Sequence, residues 1–177
     1  MTKEQIKALV ERYPYLAPRD PWTGEIPKDY DYSRIFSLEL PEGWIKLFFQ
    51  LCEDIRQPLI DSGYINAFRF LQVKEKYNTL RCYHCGAPEE VSRIIDKYEQ
   101  MAYYICTHCG KPAMYETCGY LASYCEDCWK DFARHDAVNL IEFSDSYKVQ
   151  KYSKGETTII EYSFKDEWNR YINSLEK

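Results

Sequence analysis

The chain has 177 residues, 23 basic against 28 acidic side chains, and a net charge of −5 at neutral pH. Its apolar fraction of 45% is enough to build a core and excludes a globally disordered chain. No window approaches the roughly 20 apolar residues of a membrane span, and the acidic balance argues against a dedicated duplex-DNA binder, whose footprint is basic. The opening MTKEQIKALVERYP is amphipathic and carries acids, which fits neither a secretory signal nor a transit peptide, so a cytoplasmic location is expected. Two counts stand out, 17 tyrosines and 8 cysteines. In a reducing compartment, regularly spaced cysteines read as metal ligands rather than disulfides.

Thr2 and Gln5 form a capping box ahead of Ile6, Leu9, Val10 and Tyr13 at helical spacing, and Pro14 stops that helix. Residues 14–33 carry Pro14, Pro18, Pro21 and Pro27 among alternating aromatics and acids, and read as an ordered loop. A second helix starts at Pro41, with Trp44, Leu47, Phe48, Leu51 and Ile55 on one face. Gly63 suits its C-cap, and Pro58 is expected to kink it or end it early. Residues 67–84 alternate as a hairpin, with Asn78 at a left-handed turn position. A third helix follows Pro88 and turns Val91, Ile94, Ile95 and Tyr98 inward. After the cysteine-rich segment come two strand-like runs, 137–143 and 156–162, and an amphipathic helix after Ser163 that shows Phe164, Trp168, Tyr171, Ile172 and Leu175. The order predicts one compact α+β unit in three segments. Residues 1–102 hold helices, loop and hairpin, 103–130 a zinc ribbon, and 131–177 a β-hairpin plus helix.

The ribbon rests on two C-x-x-C pairs, Cys106/Cys109 and Cys125/Cys128, with 15 residues between them. Each pair offers two thiolates from one tight turn, and four thiolates suit one tetrahedral Zn²⁺. Gly110 fits the turn that aims backbone N–H groups at the sulfurs. Such a site is closed, with no position for water or substrate, so the zinc is expected to be structural. The pair Cys82/Cys85 admits a second metal with Cys118 and a histidine, a redox couple, or unpaired thiols. Its place at a strand end favours the last of these. Cys52 reads as helix packing.

The runs YPYLAPRDPWTGEIPKDYDYS, GWIKLFFQLCEDI, LQVKEKYNTLRCY, ICTHCGKPA and GYLASYCEDC, in that order, resemble a family of small and mostly uncharacterised phage and prophage zinc-ribbon proteins. The resemblance covers about residues 13–130. It implies Cys106, Cys109, Cys125 and Cys128 as the ligands and leaves the other cysteines incidental. By association it also implies action on host machinery, including inhibition of RNA-guided defence nucleases in the manner of anti-CRISPR proteins.

Two surfaces are candidates for a partner. Lys74, Lys76 and Arg81, interleaved with Tyr77 and Tyr83, can meet phosphates and bases, or can simply keep a hairpin edge soluble. Asp29, Tyr30, Asp31 and Tyr32 in the acidic loop suit a protein interface. Catalytic signatures are missing: there is no H-x-E with a later P-C-x-x-C, no phosphate loop and no nucleophile elbow. His135 and Asn139 lack the histidine pair of a metal nuclease. The sequence therefore predicts a non-catalytic, non-membrane binder and inhibitor of a host protein. The alternative is a nucleic-acid-binding accessory protein that uses the ribbon and the basic hairpin.

Overall fold

The computed structural model describes residues 3–17, 19–20, 23, 25–26, 28–29, 38–132, 138–153 and 155–176. Thr2, Tyr30, Asp31, Tyr32 and His135 fall outside these residues. The architecture is α+β, as the order of patterns predicts, and three small sheets divide the strands.

Helix α1 (Lys3–Arg12) ends before Pro14, and a short turn then carries Tyr15 and Leu16 into the core. Tyr15 stands edge-on to Phe68 and Phe70, with centroids 5.6 and 6.0 Å away. Arg12 and Tyr13 both reach Glu53 of α2 (Ile45–Asp61), at 2.7 Å for the nearest guanidinium contact and 2.5 Å for the phenol. Leu47, Phe48, Leu51, Ile55 and Leu59 give α2 one fully buried stripe. This helix continues past Pro58 to Asp61, contrary to an early end, and the Ser62 hydroxyl donates to the Pro58 carbonyl in its last turn. Gly63, at φ +72°, makes the left-handed exit.

The first sheet has the order β1 (Leu38–Glu39), β2 (Arg69–Lys76), β3 (Thr79–Cys85), with β1 parallel and β3 antiparallel to β2. Tyr77 and Asn78 both have positive φ, 53° and 58°, which is the tight hairpin turn whose twist matches the strands. One face of the sheet buries Val73, Leu80 and Cys82 against α2 and α3 (Glu89–Ala102). The other face points Gln72, Lys74 and Lys76 outward beside Tyr83, Arg81 and Thr79, their register partners. Among the described residues, helices cover one side of the sheet.

The ribbon holds β4 (Tyr115–Thr117), β5 (Ser123–Tyr124) and α4 (Glu126–Phe132). Here the strand-like run 137–143 departs from expectation. Within its described part, 138–143, only β6 (Val138–Leu140) is strand, and it pairs with β4 instead of with 156–162. The partner of β8 (Glu156–Ser163) is β7 (Ser146–Ser153), joined to it through Gly155 at φ +86°. A tight local turn closes that hairpin with far less chain than the long return from 143 to 156 would need. Helix α5 (Lys165–Leu175) follows, as predicted. Phe164 and Tyr171 are fully buried in the main core. Each contributes roughly 1.5–3 kcal/mol of apolar burial, which ties the C-terminal segment to the rest. No helix among the described residues is long and apolar enough to cross a membrane.

Candidate metal centre

The two C-x-x-C turns bring four sulfurs together. The Sγ atoms of Cys106, Cys109, Cys125 and Cys128 all lie within 4.8 Å of one another, and Cys109 and Cys125 are 3.5 Å apart. Tetrahedral thiolate coordination at about 2.3 Å per bond requires sulfur–sulfur separations of roughly 3.8 Å. The donor set fits a metal ion, and its four thiolates leave no open coordination position. Cys106 is fully buried, Cys125 and Cys128 nearly so, and Cys109 faces outward.

Backbone donors prepare this site. Burial pushes the Cys106 thiol up, but the N–H groups of Cys109, Cys125 and His108 aim at its sulfur and leave it below its ordinary value. Cys109 and Cys128 are held above theirs by burial, with neighbouring cysteines adding to the effect. Crowded sulfurs thus retain protons that a metal ion would release, so binding is linked to pH.

The knuckle is fastened to the core at points that sequence reasoning missed. Gly43, just before α2, donates its N–H to the Thr107 carbonyl at 2.9 Å. A Cβ on Gly43 would sit 2.1 Å from the Cys106 carbonyl oxygen and 2.7 Å from the Gly110 nitrogen. The Trp44 indole donates to the Ile105 carbonyl at 3.0 Å, and the Tyr171 hydroxyl of α5 to the Gly110 carbonyl at 2.8 Å. Gly110 itself adopts φ +80°, with Gly43 and Tyr171 against it. Three segments far apart in sequence therefore meet at one cysteine turn. No pattern in the chain marks Gly43, because its role is backbone proximity. Tyr171 was visible only as an apolar helix position.

The hairpin is also tied to the ribbon. Asn78, completely buried, donates through Nδ2 to Glu116 Oε1 at 2.9 Å and to Ser123 Oγ at 2.7 Å. Ser123 in turn donates to the Tyr103 carbonyl, and its own carbonyl accepts the Thr107 N–H. The tip of the hairpin is therefore anchored, and its free surface is the outer face of β2 and β3.

That face gathers the predicted residues Lys74, Lys76, Tyr77 and Arg81, with Tyr83 among them. Tyr77 is 73% exposed and Tyr83 47%. Lys74 Nζ stands 5.4 Å from the Tyr83 ring centroid and Lys76 Nζ 5.4 Å from that of Tyr77. Arg81 lies 3.9 Å from Glu99 of α3, whose other oxygen accepts the Cys82 N–H at 2.7 Å. Glu99 thus occupies a donor on the open edge of β3, where another strand would otherwise pair. Burial raises its carboxyl above the usual range, while the Cys82 N–H and Arg81 pull the other way. A shallow depression of about 420 Å³ runs between Lys76, Tyr77, Arg81, Tyr83 and Glu99.

The remaining candidates separate. Asp29 is exposed in a turn, and its partners in the acidic patch, Tyr30, Asp31 and Tyr32, lie outside the described residues. Cys82 is buried and Cys85 exposed, as expected for strand residues three apart, which point to opposite faces. The four ribbon cysteines are the one metal-competent group among the described residues, so Cys82, Cys85 and Cys118 do not join in a second. No protein-family model, curated protein or solved structure matches the chain.

Proposed function

We propose that this is a non-catalytic, cytoplasmic phage-type protein that captures a host macromolecule on the outer face of β2 and β3, with one structural Zn²⁺ holding the ribbon behind that face. The observation that carries the reading is the placement of Tyr77, Tyr83, Lys74, Lys76 and Arg81 on one exposed sheet face whose opposite side is core. Exposed tyrosines and an arginine are enriched at binding surfaces, and cations interleaved with exposed aromatic rings suit a polyanionic partner. Zinc is the metal that an all-thiolate closed site at this spacing suits best. The narrower reading, an inhibitor of an RNA-guided defence nuclease, draws its support from the sequence resemblance.

Affinity purification of the tagged protein from a bacterial host, with and without nuclease treatment, tests the reading. The wild type is expected to retain a stoichiometric partner that the double variant Lys74→Ala/Tyr83→Ala loses. Equal capture by both proteins, or capture by neither, refutes it. For the narrower reading, an RNA-guided nuclease that cleaves at full rate in excess protein and forms no complex with it removes the proposal.

A further inference from the structure

Resting on that reading, we infer that the outer face of β2 and β3 binds single-stranded nucleic acid, with Tyr83 and Tyr77 as base-stacking platforms and Lys74, Lys76 and Arg81 as phosphate contacts.

A β-ribbon that reads duplex DNA enters the major groove. This hairpin cannot do so tip first, because Asn78 is buried in hydrogen bonds to Glu116 and Ser123. What remains accessible is the outer sheet face with its exposed Tyr77 and Tyr83, and exposed rings on a sheet are the kind of surface on which unstacked bases lie. Tyr83 and the tip residue Tyr77 stand at opposite ends of it, and the four residue steps of β3 from Thr79 to Tyr83 span about 14 Å of strand. That span accommodates a few nucleotides.

Charge favours a polyanion. Lys74 and Arg81 are register partners, and Lys76 continues the row on β2, so three cations line one track. Each lysine ammonium sits beside a tyrosine ring, which pairs a phosphate contact with a stacking surface twice over. An acidic peptide would satisfy the cations but would leave the two rings without a role. Glu99 is the one acid lining the depression, and it is already engaged by the Cys82 N–H and Arg81. The track is short and the chain is acidic overall, so contacts are few and affinity is expected to be modest.

The test is fluorescence anisotropy of a labelled 15-nucleotide oligothymidine, titrated with zinc-loaded protein across a series of salt concentrations. Three phosphate contacts on a single strand predict a log–log salt slope near −2. Tyr83→Ala and Tyr77→Ala are each expected to weaken binding about 5- to 100-fold, and Tyr83→Phe to keep it, since stacking does not use the hydroxyl. Lys74→Gln should flatten the slope by about 0.7. All three side chains reach the surface, so unchanged thermal unfolding is the control for intact folding. A duplex of equal length that binds as tightly, a Tyr83→Ala variant with unaltered affinity, or no binding at low salt overturns the inference. Saturable binding of a polyglutamate peptide with no oligonucleotide binding does so too. If the inference fails while affinity purification still yields a nuclease-resistant protein lost in Lys74→Ala/Tyr83→Ala, the proposed function stands and only the ligand class is wrong.

Discussion

Replacing Gly43 by alanine probes the junction between ribbon and core with a single methyl group. The added Cβ would lie 2.1, 2.7 and 2.9 Å from the Cys106 oxygen, the Gly110 nitrogen and the Thr107 carbonyl carbon, all of them backbone atoms. No rotamer change can relieve this, so the knuckle must move by about an ångström. The same shift stretches the hydrogen bond from the Gly43 N–H to Thr107. Overpacking of a well-filled interior costs about 1–3 kcal/mol, and a backbone clash belongs at the upper end. With about 1 kcal/mol for the weakened hydrogen bond, the loss is roughly 3–4 kcal/mol. For a chain of this size that lowers the melting temperature by about 6–16 °C. Because Cys106 and Gly110 move with the knuckle, metal affinity should fall with stability. Thermal unfolding of the zinc-loaded protein and competition with a chelator measure the two effects. Gly63→Ala is the comparison, since that glycine has positive φ but nothing within 4 Å of a Cβ. If Gly43→Ala matches the wild type in both assays, the close approach of the two backbones is not what fixes the ribbon.

Asn78→Ala should cost about 3 kcal/mol, from two side-chain hydrogen bonds and the left-handed turn, whereas Asn78→Gly should recover about 1 kcal/mol of that; urea denaturation separates the anchoring from the turn. Arg12 and Tyr13, both hydrogen-bonded to Glu53, hold its carboxyl below the ordinary 4.5. Its contribution is therefore present above that value and disappears as pH falls through the lower folded-state value. The pair is half-exposed, so Glu53→Gln should lose no more than about 1 kcal/mol near pH 7 and match the wild type in strong acid, read as urea midpoints along a pH series. Under mild oxidation, peptide mapping should find Cys85 modified, Cys82 intact and no Cys82–Cys85 disulfide, because the two side chains leave opposite faces of β3.

How much was legible depended on whether a feature is written in side-chain spacing. The cysteine pairs were readable because ligation restricts both residue type and interval. Helices α2, α3 and α5 were readable because each buries one stripe, as Leu47, Leu51 and Ile55 do on α2. Strand β7 was not readable. It pairs with β8 in a hairpin that buries little; Tyr147 and Val149 alternate with Lys148 and Gln150, but Lys151 breaks the pattern after two apolar positions. The run 137–143 did look like a strand, but its partner β4 is recognisable only once the ribbon has folded. Hardest to foresee were contacts made by backbone or by a lone polar group. Gly43 against Cys106, the Tyr171 hydroxyl on Gly110 and the buried amide of Asn78 leave no periodic trace. Yet these three contacts join a basic hairpin and a cysteine knuckle to one core.

One metal ion held by Cys106, Cys109, Cys125 and Cys128 is proposed to close the ribbon that anchors the hairpin tip. Native mass spectrometry of the protein purified without chelators, beside elemental analysis, addresses it directly. One zinc per chain is expected, and none retained in a Cys109→Ser/Cys128→Ser variant. A chain that folds and binds its partner without metal, or one that carries a second ion, would contradict it.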